Sequence, residues 1–142
     1  MDRIKIIDIK DKNVFFEIPW EWLPQGTQGP TLNDLESSAE RGKKTGKLNR
    51  VRCAEIPAAT LDIDKRLSQK ELFPLLKLLR KVEINIYYFE KYENSFVTKK
   101  FYARKPNPPY WEIPVDNNTD NIIYDKFTIE FSGYEDIKSW NI

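Results

Sequence analysis

Ser68-Gln-Lys-Glu-Leu-Phe-Pro-Leu-Leu-Lys-Leu-Leu-Arg-Lys-Val-Glu-Ile-Asn-Ile-Tyr-Tyr-Phe-Glu90 contains the change of hydrophobic period that decides the fold. At its start a Ser hydroxyl can accept from the amide three residues on while Glu71 reaches back, so Ser68 is a helix N-cap in a capping box. Leu72, Leu75, Leu76 and Leu79 follow at spacings of three and four, which puts them on one helical face. Arg80 and Lys81 close the last turn, where cations suit the helix dipole. The pattern predicts a helix over about 68–81, with Leu67 and Leu72 placed as a hydrophobic staple. Pro74 lacks the N–H for one helical hydrogen bond, which predicts a kink or a detached first turn. From Val82 the period becomes two: Val82, Ile84, Ile86 and Tyr88 face one way, and Glu83, Asn85, Tyr87 and Phe89 the other. Lys91 to Ser95 are turn-forming, and Phe96 to Arg104 carry the β-branched and aromatic residues of a returning strand.

Upstream of this unit, Val51 to Asp64 reads as a strand in which Leu61 and Ile63 alternate with Asp62 and Asp64, with Pro57 marking an edge, a bulge or a break. Cys53 shares the Leu61 and Ile63 parity and reads as a small buried apolar residue. The first twenty residues form an opening hairpin: a strand over Arg3 to Lys10, with a phase shift near Ile6 that predicts a bulge, a turn at Asp11-Lys12-Asn13, and alternation of Val14, Phe16, Ile18 and Trp20. Pro19 marks a sheet edge, and Trp20, Trp22 and Leu23 either cap the core or anchor a contact with another protein. Downstream, Lys105-Pro-Asn-Pro-Pro109 is extended. Tyr110, Trp111, Ile113 and Val115 then form either a stiff connector across the sheet or a second contact surface. Asp116 to Asn121 is a polar turn, and Phe127, Ile129 and Phe131 mark a strand with one wet face. Gly133 to Ile142 has no period, and Trp140 and Ile142 are candidates to dock the terminus. The expected class is α+β and sheet-dominated: a mostly antiparallel β-sandwich or curved sheet with one flanking helix. No βαβ alternation occurs, which argues against a parallel sheet.

A chain of 142 residues is long enough for a core without disulfides or metals, and is expected to form a single domain, 1–142. Lys and Arg (23) nearly balance Asp and Glu (22), so there is no general attraction to nucleic acid or to acidic membranes. No apolar run approaches the ~20 residues a membrane span needs, and the N-terminus runs straight into strand-like sequence, so the expectation is a soluble chain made in the cytoplasm. One cysteine precludes an internal disulfide, and the absence of histidine removes imidazole from general-base or zinc chemistry. Asp62 and Asp64 are the nearest thing to a carboxylate pair, yet their spacing puts both on a polar strand face beside Lys65 and Arg66, as surface charges. Gly26 and Gly29 lack the strand-to-helix turn and following lysine of a phosphate cradle. No catalytic, cofactor-binding or metal-ligating residue is assigned, and the chain is not expected to be an enzyme.

From Pro24 to about Arg50 apolar residues thin out, and four of the five glycines fall there. This predicts a protruding loop at about 24–50, with a short helix over 33–40 capped by Asn33 or Asp34. Arg41, Lys43, Lys44, Lys47, Arg50 and Arg52 place six cations in twelve residues with no acid among them, a basic arm. Such an arm suits contact between subunits, and these six residues with Trp20 and Trp22 are the candidate contact residues. The alternatives are a small nucleic-acid-binding protein, with Tyr87, Phe89, Phe101 and Tyr102 stacking on bases, or a phage-encoded inhibitor of one host protein using the same loop.

The run Lys47-Leu-Asn-Arg-Val-Arg-Cys-Ala-Glu-Ile56, the strand ending Leu61-Asp-Ile-Asp64, the helix Glu71 to Arg80 and the hairpin Glu83 to Ala103 with Lys99-Lys-Phe-Tyr-Ala103 follow a definite order. This order, over roughly 41 to 113, resembles a family of small tail-region structural proteins in phages of Gram-positive bacteria. The resemblance implies a virion component of the tail tube, tail tip or baseplate, made in the host cytoplasm. It implies a homo-oligomeric ring that packs on neighbouring tail proteins, without cofactor or enzymatic activity.

Overall fold

The computed structural model describes residues 1–26, 29–34 and 58–133. Among these described residues, ten strands and one α-helix are laid down in the order β1 (Lys5–Asp8), β2 (Phe15–Glu17), β3 (Asn33–Asp34), β4 (Ala58–Ile63), β5 (Leu67–Ser68), α1 (Gln69–Leu79), β6 (Glu83–Glu90), β7 (Ser95–Ala103), β8 (Tyr110–Glu112), β9 (Ile123–Tyr124) and β10 (Phe127–Gly133). Two sheets result, one of seven strands ordered β2-β1-β6-β7-β10-β4-β3 and one of three ordered β5-β9-β8. Every strand pair is antiparallel. The fold is therefore α+β and sheet-dominated, its larger sheet curled into a half-barrel with one helix.

The curl has a direct sign in the hydrogen bonding. The Asp64 amide, just past β4, donates to the Trp22 carbonyl at 2.6 Å, so the turn that follows edge strand β2 reaches the strand at the far side of the sheet. Trp20–Trp22 forms a single 3-10 turn. Period two fills the inner face: Ile4 and Ile6, Leu61 and Ile63, Ile84 and Ile86, Ile129 and Phe131 are all at most 2% exposed. Each such side chain contributes about 1.5–3 kcal/mol relative to staying in water.

The helix lies against this face. Ser68 is its N-cap: its hydroxyl accepts from the Glu71 amide, and Glu71 accepts from the Ser68 amide at 3.0 Å. Leu72 and Leu75 are fully buried, Leu79 nearly so, and the staple partner Leu67 is 1% exposed. The buried stripe is rotated slightly from the expected one, since Leu78 is buried and Leu76 only half-buried. The helix ends at Leu79, two residues short of the expected end, and Val82 is 65% exposed instead of beginning the inner face. Pro74 sits inside an uninterrupted helix, so its first turn is not detached. Pro74 is itself exposed, which leaves the lost hydrogen bond on the wet side where water can replace it.

Three further expectations are corrected. No bulge occurs near Ile6, because β1 pairs in unbroken register with both neighbours, Ile6 opposite Phe16 and Ile86. Asp8 then takes the inward position that a bulge would have given to an isoleucine. Its carboxylate accepts from the Lys81 ammonium and from the amides of Lys10 and Asp11, which supplies the partners a buried charge requires. Asn33 and Asp34 do not begin a helix; they form β3 opposite Thr60 and Ala59, and the rest of the expected 33–40 helix lies outside the described residues. The expected loop does not leave the body at Pro24 either. The Pro30 carbonyl accepts from the Phe89 amide at 2.9 Å, and Leu32 is 8% exposed within the core. Leu32 is the one bulky apolar residue between Pro24 and Asp34, and its burial pulls this stretch inward.

Candidate contact surface

The outer strand of the three-stranded sheet and the residues just beyond it expose four large apolar side chains in one short stretch. After Lys105-Pro-Asn-Pro-Pro109, β8 and the residues beyond it expose Tyr110 (63%), Trp111 (53%), Ile113 (64%) and Val115 (105%). Prolines at 106, 108, 109 and 114 hold this strap extended and remove backbone donors along it. Pro108 is buried and anchors the strap to the body, and the Asp125 amide donates to the Pro109 carbonyl at 2.8 Å.

The aromatic side chains of the strap are held in place by residues distant in sequence. Tyr110 stacks on Tyr124, with ring centroids 5.3 Å apart. The Tyr124 hydroxyl donates to Gln69 Oε1 at 2.6 Å, and the Gln69 amide donates to the Ile122 carbonyl, so the pair is tied to the first turn of α1. Burial, with the neighbouring Tyr110, pushes the Tyr124 hydroxyl above its ordinary pKa and keeps it a donor. The Arg66 guanidinium lies over the Trp111 ring, 3.5 Å from its centroid, while its Nε sits 3.2 Å from Asp125 Oδ1. Asp125 accepts from the Lys126 amide and from Arg66, and both bonds hold its carboxyl below the usual aspartate range. Trp111 is thus half exposed and immobilised from behind, the condition of an anchor that loses little side-chain entropy on contact.

None of the contact residues chosen from sequence belongs to the strap. Arg41, Lys43, Lys44, Lys47, Arg50 and Arg52 lie outside the described residues, as do Cys53, Pro57 and Trp140. Trp22 is 4% exposed and packs on Phe16 with centroids 5.4 Å apart, and Trp20 lies partly buried against the same core. Trp22 therefore caps the inside of its own sheet and offers little surface to another molecule. The four aromatics of the nucleic-acid alternative are divided by the sheet. Phe101 is buried at 1%, whereas Tyr87, Phe89 and Tyr102 face outward. Tyr87 is stacked on Phe96 at 5.1 Å and donates its hydroxyl to Asp2, so its faces and its polar end are already engaged. Asp62 accepts from Asn33 Nδ2 and the Thr128 hydroxyl, which joins β3, β4 and β10, and Asp64 pairs with Lys126 at 3.3 Å.

Arg66 had no sequence signal as the support of Trp111, because forty-five residues and three strands separate the two. Among the described residues no helix is long and apolar enough to cross a membrane. Comparison with protein-family models, with curated proteins and with solved structures finds no match.

Proposed function

We propose that this chain is a structural subunit of a phage tail, of the tube, tip or baseplate kind, which works without catalysis by packing against its own copies and against neighbouring tail proteins. The observation that carries the packing against neighbouring proteins is the strap, in which four large apolar side chains within six residues stand in water, with Tyr110 and Trp111 backed by Tyr124 and Arg66. A folded chain gains nothing from such exposure, and a run of exposed apolar side chains of this kind marks a place where another protein sits. The cationic stretch Arg41 to Arg52 supplies, by its sequence, a second contact of opposite character.

Sedimentation velocity of the whole chain over rising concentration tests this. Closed oligomers that grow in at the expense of monomer are expected, because ring subunits associate through complementary patches. A single monomeric boundary up to about 100 µM, well above the range in which stable interfaces associate, contradicts it.

A further inference from the structure

We infer that the strap Tyr110–Val115 is a docking element for a second, different protein whose contact surface is an apolar cleft rimmed by lysine or arginine. The inference goes beyond tail assembly: it needs only the strap and its charges, and holds wherever the chain works.

Two features define the occupant. The first is the manner of contact. β8 is the outer strand of its sheet, but it is three residues long and is flanked by Pro109 and Pro114, which cannot donate along an edge. An added strand would find few partners there, so contact must run through side chains, with Trp111 and Tyr110 entering a cleft and Ile113 and Val115 widening the apolar area. The second is charge. Between Pro106 and Asp125 the chain holds Glu112, Asp116, Asp120 and Asp125 and no lysine or arginine. Asp125 is spent on Arg66, and none of the other three has a salt bridge among the described residues. Among the described residues, the strap and the turn that follows it thus carry three acids without a salt bridge, against the single cation Lys105 at its start. A cationic rim on the partner would gain from this, and an acidic one would be repelled. A two-fold pairing of straps from two copies would set these acids against one another, which disfavours strap-to-strap docking.

The test uses the full-length chain and three labelled synthetic peptides of equal length, one alternating lysine and leucine, one glutamate and leucine, and one lysine and serine. Binding is read by fluorescence anisotropy. Saturable binding of the lysine–leucine peptide alone is expected. It should weaken about tenfold in Glu112→Gln/Asp116→Asn/Asp120→Asn, at least as much in Trp111→Ser, and steadily with added salt. Circular dichroism confirms that each variant is folded, and sedimentation in the same buffer shows whether the chain is monomeric under these conditions. Absence of lysine–leucine binding, equal binding to the variants, equal binding of the glutamate–leucine peptide, or a strap occluded by self-association would each overturn the proposal. Of these outcomes only occlusion of the strap by self-association concerns closed oligomers, and it would favour them while overturning this proposal, so the two readings fail separately.

Discussion

Trp22 and Trp111, or Ile86 and Ile113, are the same side chains in opposite circumstances. The first of each pair is at most 4% exposed beneath the curled sheet, and the second is more than half exposed on the strap. The inner face exists because a helix and a set of antiparallel strands bring apolar side chains together from many places in the sequence. The strap is composed of one local run held straight by proline. Its order comes from behind, through Arg66 and Tyr124, and not from anything covering it. The comparison teaches that order and burial are separable in this chain: the inner face is ordered because it is buried, the strap although it is not.

Substitutions on the two sides should have unequal effects on stability. The largest effect should come from Leu75→Ala, which empties a fully buried site between helix and sheet and is expected to cost about 2–5 kcal/mol in urea unfolding. Ser68→Ala removes one half of the capping box and should cost about 1 kcal/mol. Trp111→Ala should cost less, below about 1 kcal/mol, since it forfeits an exposed cation–π stack and little burial. If Trp111→Ala destabilises the chain as much as Leu75→Ala, the strap belongs to the core and the contrast fails.

A dependence on pH separates the two regions further. The bond from Lys81, helped by the amides of Lys10 and Asp11 and opposed by burial, holds Asp8 below its ordinary pKa. Asp125 is held low as well, by the Lys126 amide and by Arg66. A carboxylate whose folded pKa is depressed adds stability above its unfolded value of about 3.9, and loses it as pH falls through the folded value. Stability should therefore drop on acidification below about pH 4, and less so in Asp8→Asn. Asp8→Asn should leave the Arg66–Trp111 stack untouched, whereas Asp125→Asn should loosen it, seen as a change in tryptophan emission at neutral pH. An unchanged acid profile in Asp8→Asn would show that Asp8 and Lys81 do not act as a clasp.

Much of the fold was legible from period alone. The capping box at Ser68 and Glu71, the leucine stripe, the 83–103 hairpin and the inward parity of Leu61 and Ile63 all appear where the residues indicate, because each depends on neighbours within a few positions. The misreadings share a cause. Ile7 and Ile9 suggested a bulge, but Ile4, Ile6 and Asp8 keep one parity once Lys81 supplies a partner for the carboxylate, a residue seventy-three positions away. Asn33 and Asp34 resemble helix caps, yet Leu32 and pairing with β4 draw them into a strand. The contact surface was half legible: the aromatic and proline mixture at 105–115 stood out, but its order depends on Arg66, Gln69 and Tyr124, which no local pattern connects to it. Trp22 was ambiguous between core and contact, and distant packing on Phe16 decides it.

The most direct test is urea unfolding of the variant Tyr110→Ser/Trp111→Ser/Ile113→Ser/Val115→Ser beside the parent chain. If the strap is kept for another molecule, the midpoint should shift by no more than about 1 kcal/mol of stability, with an unchanged slope, although four large apolar side chains are gone. A loss comparable to that of Leu75→Ala would contradict the account, because it would mean that the exposed side chains hold the chain's own fold together.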